Sequence, residues 1–189
     1  FINKKEYSLG FNLQNADVTH FQYYLEAAEQ FNVTKGKFDL VLNLSFSPEW
    51  ETNKSFWQGK ATFYQADANP LFLQQIPFQQ INGDVIFTKP EITVLSLNGL
   101  YHNSVFQLKG QVLTEPEIYF DLNIEGEQVS ASLLRDDVSL FVGECNDFAL
   151  QGEVDLTGNI NGLPDSFYIT GEANASEIIV EKITFPNIS

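Results

Sequence analysis

His20 and His102 are the only two histidines of the chain. An imidazole works as a general base or a metal ligand when a carboxylate, a thiol or a second imidazole stands at ligand spacing. His20 falls near the start of a helical pattern and His102 in the turn "YHNS", and neither has such a neighbour in the sequence. Asp136 and Asp137 are adjacent after a helical stretch, a placement that reads as a solvated loop rather than an acid/base pair. Cys145 is the single cysteine, so no internal disulfide forms and the redox compartment stays open. "GNING" and "GEANA" lack the lysine and the helix start of a phosphate loop. The expectation is no catalytic residue, no metal and no cofactor: a chain that is not an enzyme.

What recurs at chemical spacing is apolar surface. In "GKFDLVLNLSF", residues 36–46, Phe38, Leu40, Leu42, Leu44 and Phe46 share one parity, and Lys37, Asp39, Val41, Asn43 and Ser45 share the other. Such alternation is a β-strand with one apolar face. Leaving five such side chains in water forfeits roughly 8–15 kcal/mol, at about 1.5–3 each, which is the size of a domain's whole stability. Protein or an apolar guest has to cover that face. The pattern returns at Trp57–Gln65, Gly83–Thr88, Ile92–Gly99, Val105–Val112, Ile118–Ile124, Phe148–Ile160 and Phe167–Ala175. Its apolar parities add Phe63, Val85, Phe87, Phe106, Leu108, Phe120, Leu122, Ile124, Leu150, Val154, Leu156, Ile160, Phe167 and Ile169 as candidates for lining one wall. Polar residues occupy the opposite parity, which predicts an all-β chain built as antiparallel sheet with one wet face.

Six glycines, Gly59, Gly83, Gly110, Gly152, Gly158 and Gly171, fall on the apolar parity. Glycine is depleted inside strands because it packs nothing and loses the most backbone entropy. Two readings stand together: the glycines let the sheet coil or sit opposite aromatics, or they leave a trough along an apolar wall.

The elements that must position these residues fit in 189 residues of 43% hydrophobic content with 17 Phe, a composition far from disorder. The chain has no Met and its first residue is Phe1, so it is expected to be a segment of a longer protein; no signal peptide or membrane-spanning run lies within it. A net charge of −15 argues against nucleic acid and anionic membrane surfaces as direct partners. It reads as solubility for a surface that would otherwise be sticky. "THFQYYLEAAEQF" predicts a helix over about 19–31, with Thr19 as N-cap, Gln22 at capping-box spacing and Phe21, Tyr24, Leu25 and Ala28 as its apolar stripe. A second helical stretch runs through "EQVSASLLRDD", residues 127–137.

Short words also recur in order. "FNLQ" at 11 returns as "FDLN" at 120, "KGKFDL" at 35 as "QGEVDL" at 151, "GKAT" at 59 as "GEAN" at 171, and "FQQIN" at 78 as "FPNIS" at 185. The near-constant offset and the helix after the first element in each case predict two copies, 11–119 and a shorter 120–189, of a unit that stacks into an array.

"INGDVIF", "VFQLKGQV" and "LQGEVDLTGNINGLPDSFYITGEANASEI" resemble the TamB and AsmA-like proteins of diderm bacteria and plastids, whose rhythm is G-x-[VIL]-x-[LFV]. Gly83-Asp-Val85-Ile-Phe87 and Gly152-Glu-Val154-Asp-Leu156 match it, and Gly110-Gln-Val112 matches its first half. The resemblance implies a β-taco, a curled antiparallel sheet with a hydrophobic groove along its length. It also implies a non-enzymatic role: carrying phospholipid acyl chains across the periplasm or an equivalent intermembrane space, in a protein anchored in the inner membrane. A BamA-type outer-membrane barrel is a further partner that it implies, through another part of the full-length protein. The alternative is a structural or adhesive β-sandwich of a secreted repeat protein, recognising its partners through aromatics such as Trp50, Trp57 and Tyr101.

Overall fold

The structure is a computed structural model that describes residues 7–21, 31–46, 56–70, 73, 76–142, 149–180 and 183–188. In chain order these form β1 (Tyr7–Asp17), α1 (Val18–Phe21), β2 (Phe31–Phe46), β3 (Phe56–Pro70), β4 (Phe78–Thr88), β5 (Glu91–Tyr101) and β6 (Ser104–Leu113). Then come β7 (Tyr119–Ser130), α2 (Ala131–Val142), β8 (Leu150–Leu163), β9 (Ser166–Val180) and β10 (Ile183–Ile188). The ten strands make one sheet in sequence order, β1 and β10 at its edges. Every neighbouring pair is antiparallel. This is the all-β, antiparallel architecture that the alternation predicts, and it is one sheet rather than two packed ones.

α1 and α2 bridge β1 to β2 and β7 to β8, so both leave from the same end of the strands, the helix end. Four bulges gather near it. Asn15, Gln65, Gln80 and Gln128 have φ of 51°, 49°, 51° and 52°, and each sits where a ladder slips register. A bulge bends its strand and leaves a backbone group off the ladder. Here each freed N–H finds a side-chain oxygen on the adjoining strand. Asn15 donates to Asp39 Oδ1 at 2.7 Å, Gln65 to Asn82 Oδ1 at 3.0 Å, Gln80 to Asp67 Oδ1 at 2.8 Å and Gln128 to Asp155 Oδ1 at 3.0 Å. Four kinks of one kind at one end curl the sheet, and its apolar face lies on the inside of the curl.

The burial follows from that curl. One cluster joins Val18, Phe38, Leu40 and Ala61. A second joins Val94, Val112, Phe120, Leu122 and Ile160. The third, at the helix end, joins Leu73, Ile76, Tyr101, Phe106, Val129, Ala131, Val154 and Ile178, with Leu150 and Leu156 packed against it. That last group joins side chains of β5 to β9 with Leu73, Ile76 and Ala131, which cover them from beyond the strands.

Both predicted helices shift. α1 begins at Val18, because Asp17 is the cap: Oδ1 of Asp17 accepts the Thr19 backbone N–H at 3.1 Å and the Thr19 hydroxyl at 2.7 Å. Residues 22–30 of the expected helix, with Tyr24, Leu25 and Ala28, lie outside the described residues. The second helix starts at Ala131 rather than 127, since Val129 is buried in the third cluster and keeps 127–130 in β7. Asp136 and Asp137, expected in a loop, lie on α2.

Candidate functional site on the apolar face

Cross-strand register sorts the inner side chains into rows that run from strand to strand. One row is Phe11, Leu42, Gly59, Phe87, Ile92, Val112, Phe120, Gly162 and Phe167. The next is Leu13, Leu40, Ala61, Val85, Val94, Gly110, Leu122, Ile160 and Ile169. The third is Ala16, Phe38, Phe63, Gly83, Leu97, Leu108, Ile124, Gly158 and Gly171. None of the three contains a polar side chain. In the second row burial is deep at the centre and gone at the ends: Leu40 is 3% exposed, Leu13 40% and Ile169 55%. No second sheet covers the face among the described residues. The curl covers its middle, and both lateral margins remain open.

The glycines have a structural explanation in this register. Gly59 pairs with Phe87, Gly83 with Phe63, Gly126 with Phe106, and Gly162 with both Phe120 and Phe167, so aromatic rings lie beside missing side chains. Gly83 and Gly110 have φ of +143° and +136°, and a Cβ on either would fall 1.8 and 2.2 Å from the carbonyl oxygens of Ser96 and Asp121. At Gly59, Gly152 and Gly171 the same test meets a neighbouring carbonyl at 2.3, 2.6 and 2.5 Å. Adjacent backbone therefore occupies the place where a trough would lie at these five positions. Gly158 alone of the six has only looser neighbours, Thr170 O at 3.3 Å and Ile124 Cγ2 at 3.4 Å.

α2 closes the helix end of this face. Ala131 and Leu134 pack on the third cluster, and Asp137, one turn further on, reaches the end of β5. Its Oδ2 accepts the Tyr101 hydroxyl at 2.5 Å and lies 2.9 Å from His102 Nε2. Burial, and then this hydrogen bond to a carboxylate, push the Tyr101 phenol above its usual value. No spacing in the chain points to this trio: Tyr101 and His102 are 36 and 35 residues from Asp137. Tyr101, expected as an exposed aromatic, is buried; Trp57 is half-buried with its ring 6.3 Å from Phe87, and Trp50 lies outside the described residues.

The outer face is polar and cross-linked. Thr62 donates to Asp84 at 2.6 Å and Lys60 pairs with it at 2.9 Å, and the two hold the Asp84 carboxyl below its usual range. Tyr64 donates to the other oxygen of Asp39 at 2.9 Å, which raises its phenol. Among the described residues, no three of His, Cys, Asp and Glu stand where they could hold a metal ion, and no helix is long and apolar enough to cross a membrane.

Of the residues singled out in the sequence, Phe38, Leu40, Leu42, Phe63, Val85, Phe87, Leu108, Phe120, Leu122, Ile124, Ile160, Phe167 and Ile169 fall in the three rows. Phe106, Leu150, Val154 and Leu156 fall in the helix-end cluster. Leu44 is half-buried opposite Trp57, and the Phe46 side chain lies outside the described ones. Sequence reading also put Ala61 and Val112 on the apolar parity, and left out Phe11, Leu13, Ala16, Ile92, Val94 and Leu97 as lining. Val94 and Leu97 are an odd number apart, and the register shift between them returns both to one face. Scans of family models, of curated proteins and of solved structures find no match to this chain.

Proposed function

We propose that the inner face holds the acyl chains of phospholipid, and that the chain is a lipid-carrying segment of a TamB- or AsmA-like envelope protein. The observation that carries this reading is the second row: nine strands deep without a polar side chain, curled, and exposed at both margins. A surface of that kind solvates hydrocarbon and offers nothing to an ion. The acidic outer face would leave anionic head groups in water. The reading includes a place between two membranes, in a longer inner-membrane protein, without catalysis. A BamA-type barrel belongs to it only as a partner of another part of that protein. The competing reading, a purely structural sheet, draws support from the side chains that already fill the centre of the curl, Phe38 and Phe120.

Leu42 discriminates between them. It is half-buried, packs on Phe38 and Leu40's cluster, and lies between Phe11 and Gly59. Leu42→Arg should leave a folded β-protein by circular dichroism and abolish binding of a phospholipid carrying a fluorophore on one acyl chain. Asn43→Arg, on the outer face, should keep binding. Loss of fold in Leu42→Arg together with no binding by the unaltered chain would make the face an ordinary core.

A further inference from the structure

The inner face does not stop where α2 begins. A fourth row, Gly99, Phe106, Gly126, Leu156 and Ala173, runs beside the third and carries no polar side chain. Beyond it come Tyr101, Val129, Val154 and Ile178, each no more than 9% exposed. α2, which packs on β7 and β8, covers them together with Leu73 and Ile76.

α2 is a weak piece of core. Of its described apolar side chains, Ala131 and Leu134 join the cluster, Leu133 is half-buried, and Val138 and Leu140 are 42% and 54% exposed. Past Leu134 the helix meets the sheet through Asp137, one turn on. An apolar side chain there would hold the helix more firmly than a carboxylate, whose loss of water offsets most of what its hydrogen bonds return. The sheet is built to meet that carboxylate. Asp137 Oδ2 takes both the Tyr101 hydroxyl and His102 Nε2. His102 and Asn103 make the two-residue turn from β5 to β6, with φ of 48° and 68°. The Tyr101 ring lies 5.7 Å from that of Phe78 and 4.6 Å from the imidazole. α2 is thus joined to β7 at Ala131, clasped at Asp137, and laid over a continuation of the apolar face.

We propose that α2 is a displaceable cap: it occupies the helix end of the apolar face in place of a guest, and the clasp of Asp137 on Tyr101 and His102 sets how far that end is closed. The proposal rests on the lipid reading for the identity of the guest, an acyl chain, and adds its control. α2 and the guest compete for the same side chains, so lifting α2 lengthens the face open to the guest. A guest that needs the open state binds more weakly in proportion to the open fraction, and guest binding must in turn favour opening.

Hydrogen exchange followed by mass spectrometry tests the cap without lipid. In Asp137→Ala, exchange across residues 131–140 should quicken at least about tenfold, as expected on losing hydrogen bonds to a charged group. Residues 120–125 and 157–161 should keep the rates of the unaltered chain. Tyr101→Phe, which removes one of the two donors and keeps the ring, should quicken the same helix by less. The phospholipid with a fluorophore on one acyl chain then tests the competition. It should bind Asp137→Ala more tightly, by no more than the factor by which exchange quickened. Added to the unaltered chain, it should quicken exchange across 131–140. A helix whose exchange is unchanged in both variants, or quickens only together with β7 and β8, is fixed core and would overturn the proposal. So would phospholipid that slows exchange across 131–140, or that binds Asp137→Ala no better than the unaltered chain. Binding of no phospholipid to any of the three chains would count against the lipid reading, and the exchange rates would still decide whether α2 opens.

Discussion

Asp39 serves two neighbours at once, the Asn15 N–H through one oxygen and the Tyr64 hydroxyl through the other. Replacing it should show what the bulge requires. Asp39→Asn keeps a carbonyl oxygen for the freed amide, whereas Asp39→Ala leaves that amide to water. Urea denaturation should give a loss of about 1 kcal/mol for the alanine variant and clearly less for the asparagine variant. Two titrations are set by geometry as well. The Thr19 hydroxyl, followed by the Thr19 N–H, holds the Asp17 carboxyl down at about 2. A carboxyl lowered on folding adds stability above its ordinary value of 3.8 and loses it as pH falls toward 2. Amide exchange at Thr19 should therefore quicken over that interval. Tyr101 runs the other way. Its raised phenol contributes stability that is complete below its ordinary 10.0 and is lost as pH rises beyond it. Tyr101→Phe should remove this alkaline limb from the stability profile measured by urea denaturation as a function of pH.

The strands are elements whose spacing is written in two-residue alternation, so eight of the ten, β2 to β9, and most of their faces were legible, while β1 and β10 were not among them. The bulges were not legible. A residue such as Gln80 or Gln128 at positive φ has no sequence signature, because the acceptor that stabilises it is on another strand. Each bulge also shifts parity, which is why Val94 and Leu97 escaped notice. The first helix was misplaced by one cap, since Asp17 and Thr19 are both good capping residues and only the fold shows which accepts. The words "KGKFDL" and "QGEVDL" mark matching places in β2 and β8, because their aspartates hold matching bulges. The words "FNLQ" and "FDLN" do not, since superposing those bulges pairs Phe11 with Ile124. Glycine substitutions test the element scale. Gly83→Ala should cost about 2–3 kcal/mol or more, because a side chain at φ +143° is strained and its Cβ would strike the Ser96 carbonyl. Gly158→Ala should cost less than about 1 kcal/mol, since its neighbours are looser and alanine narrows the unfolded ensemble. Thermal melts of the two variants, side by side, check the contrast.

At the scale of the whole molecule, the surface is large. It amounts to 12380 Å², against roughly 9,100 Å² for a compact monomer of 21.4 kDa. An open sheet with an apolar inner face and charged residues outside has that character, and it is costly to maintain in water unless something apolar lies along the face. The trio of Tyr101, His102 and Asp137, which ties α2 over one end, leaves the two lateral margins as the routes by which a guest would enter. Native mass spectrometry of the chain, expressed in a bacterial host and purified without detergent, tests this most directly. The account predicts that a fraction of the protein carries added mass equal to one or more host phospholipids, and that the fraction falls to nothing in Leu42→Arg and persists in Asn43→Arg. Bare protein in every charge state, from a sample that remains folded and takes up no phospholipid from added vesicles, would contradict it.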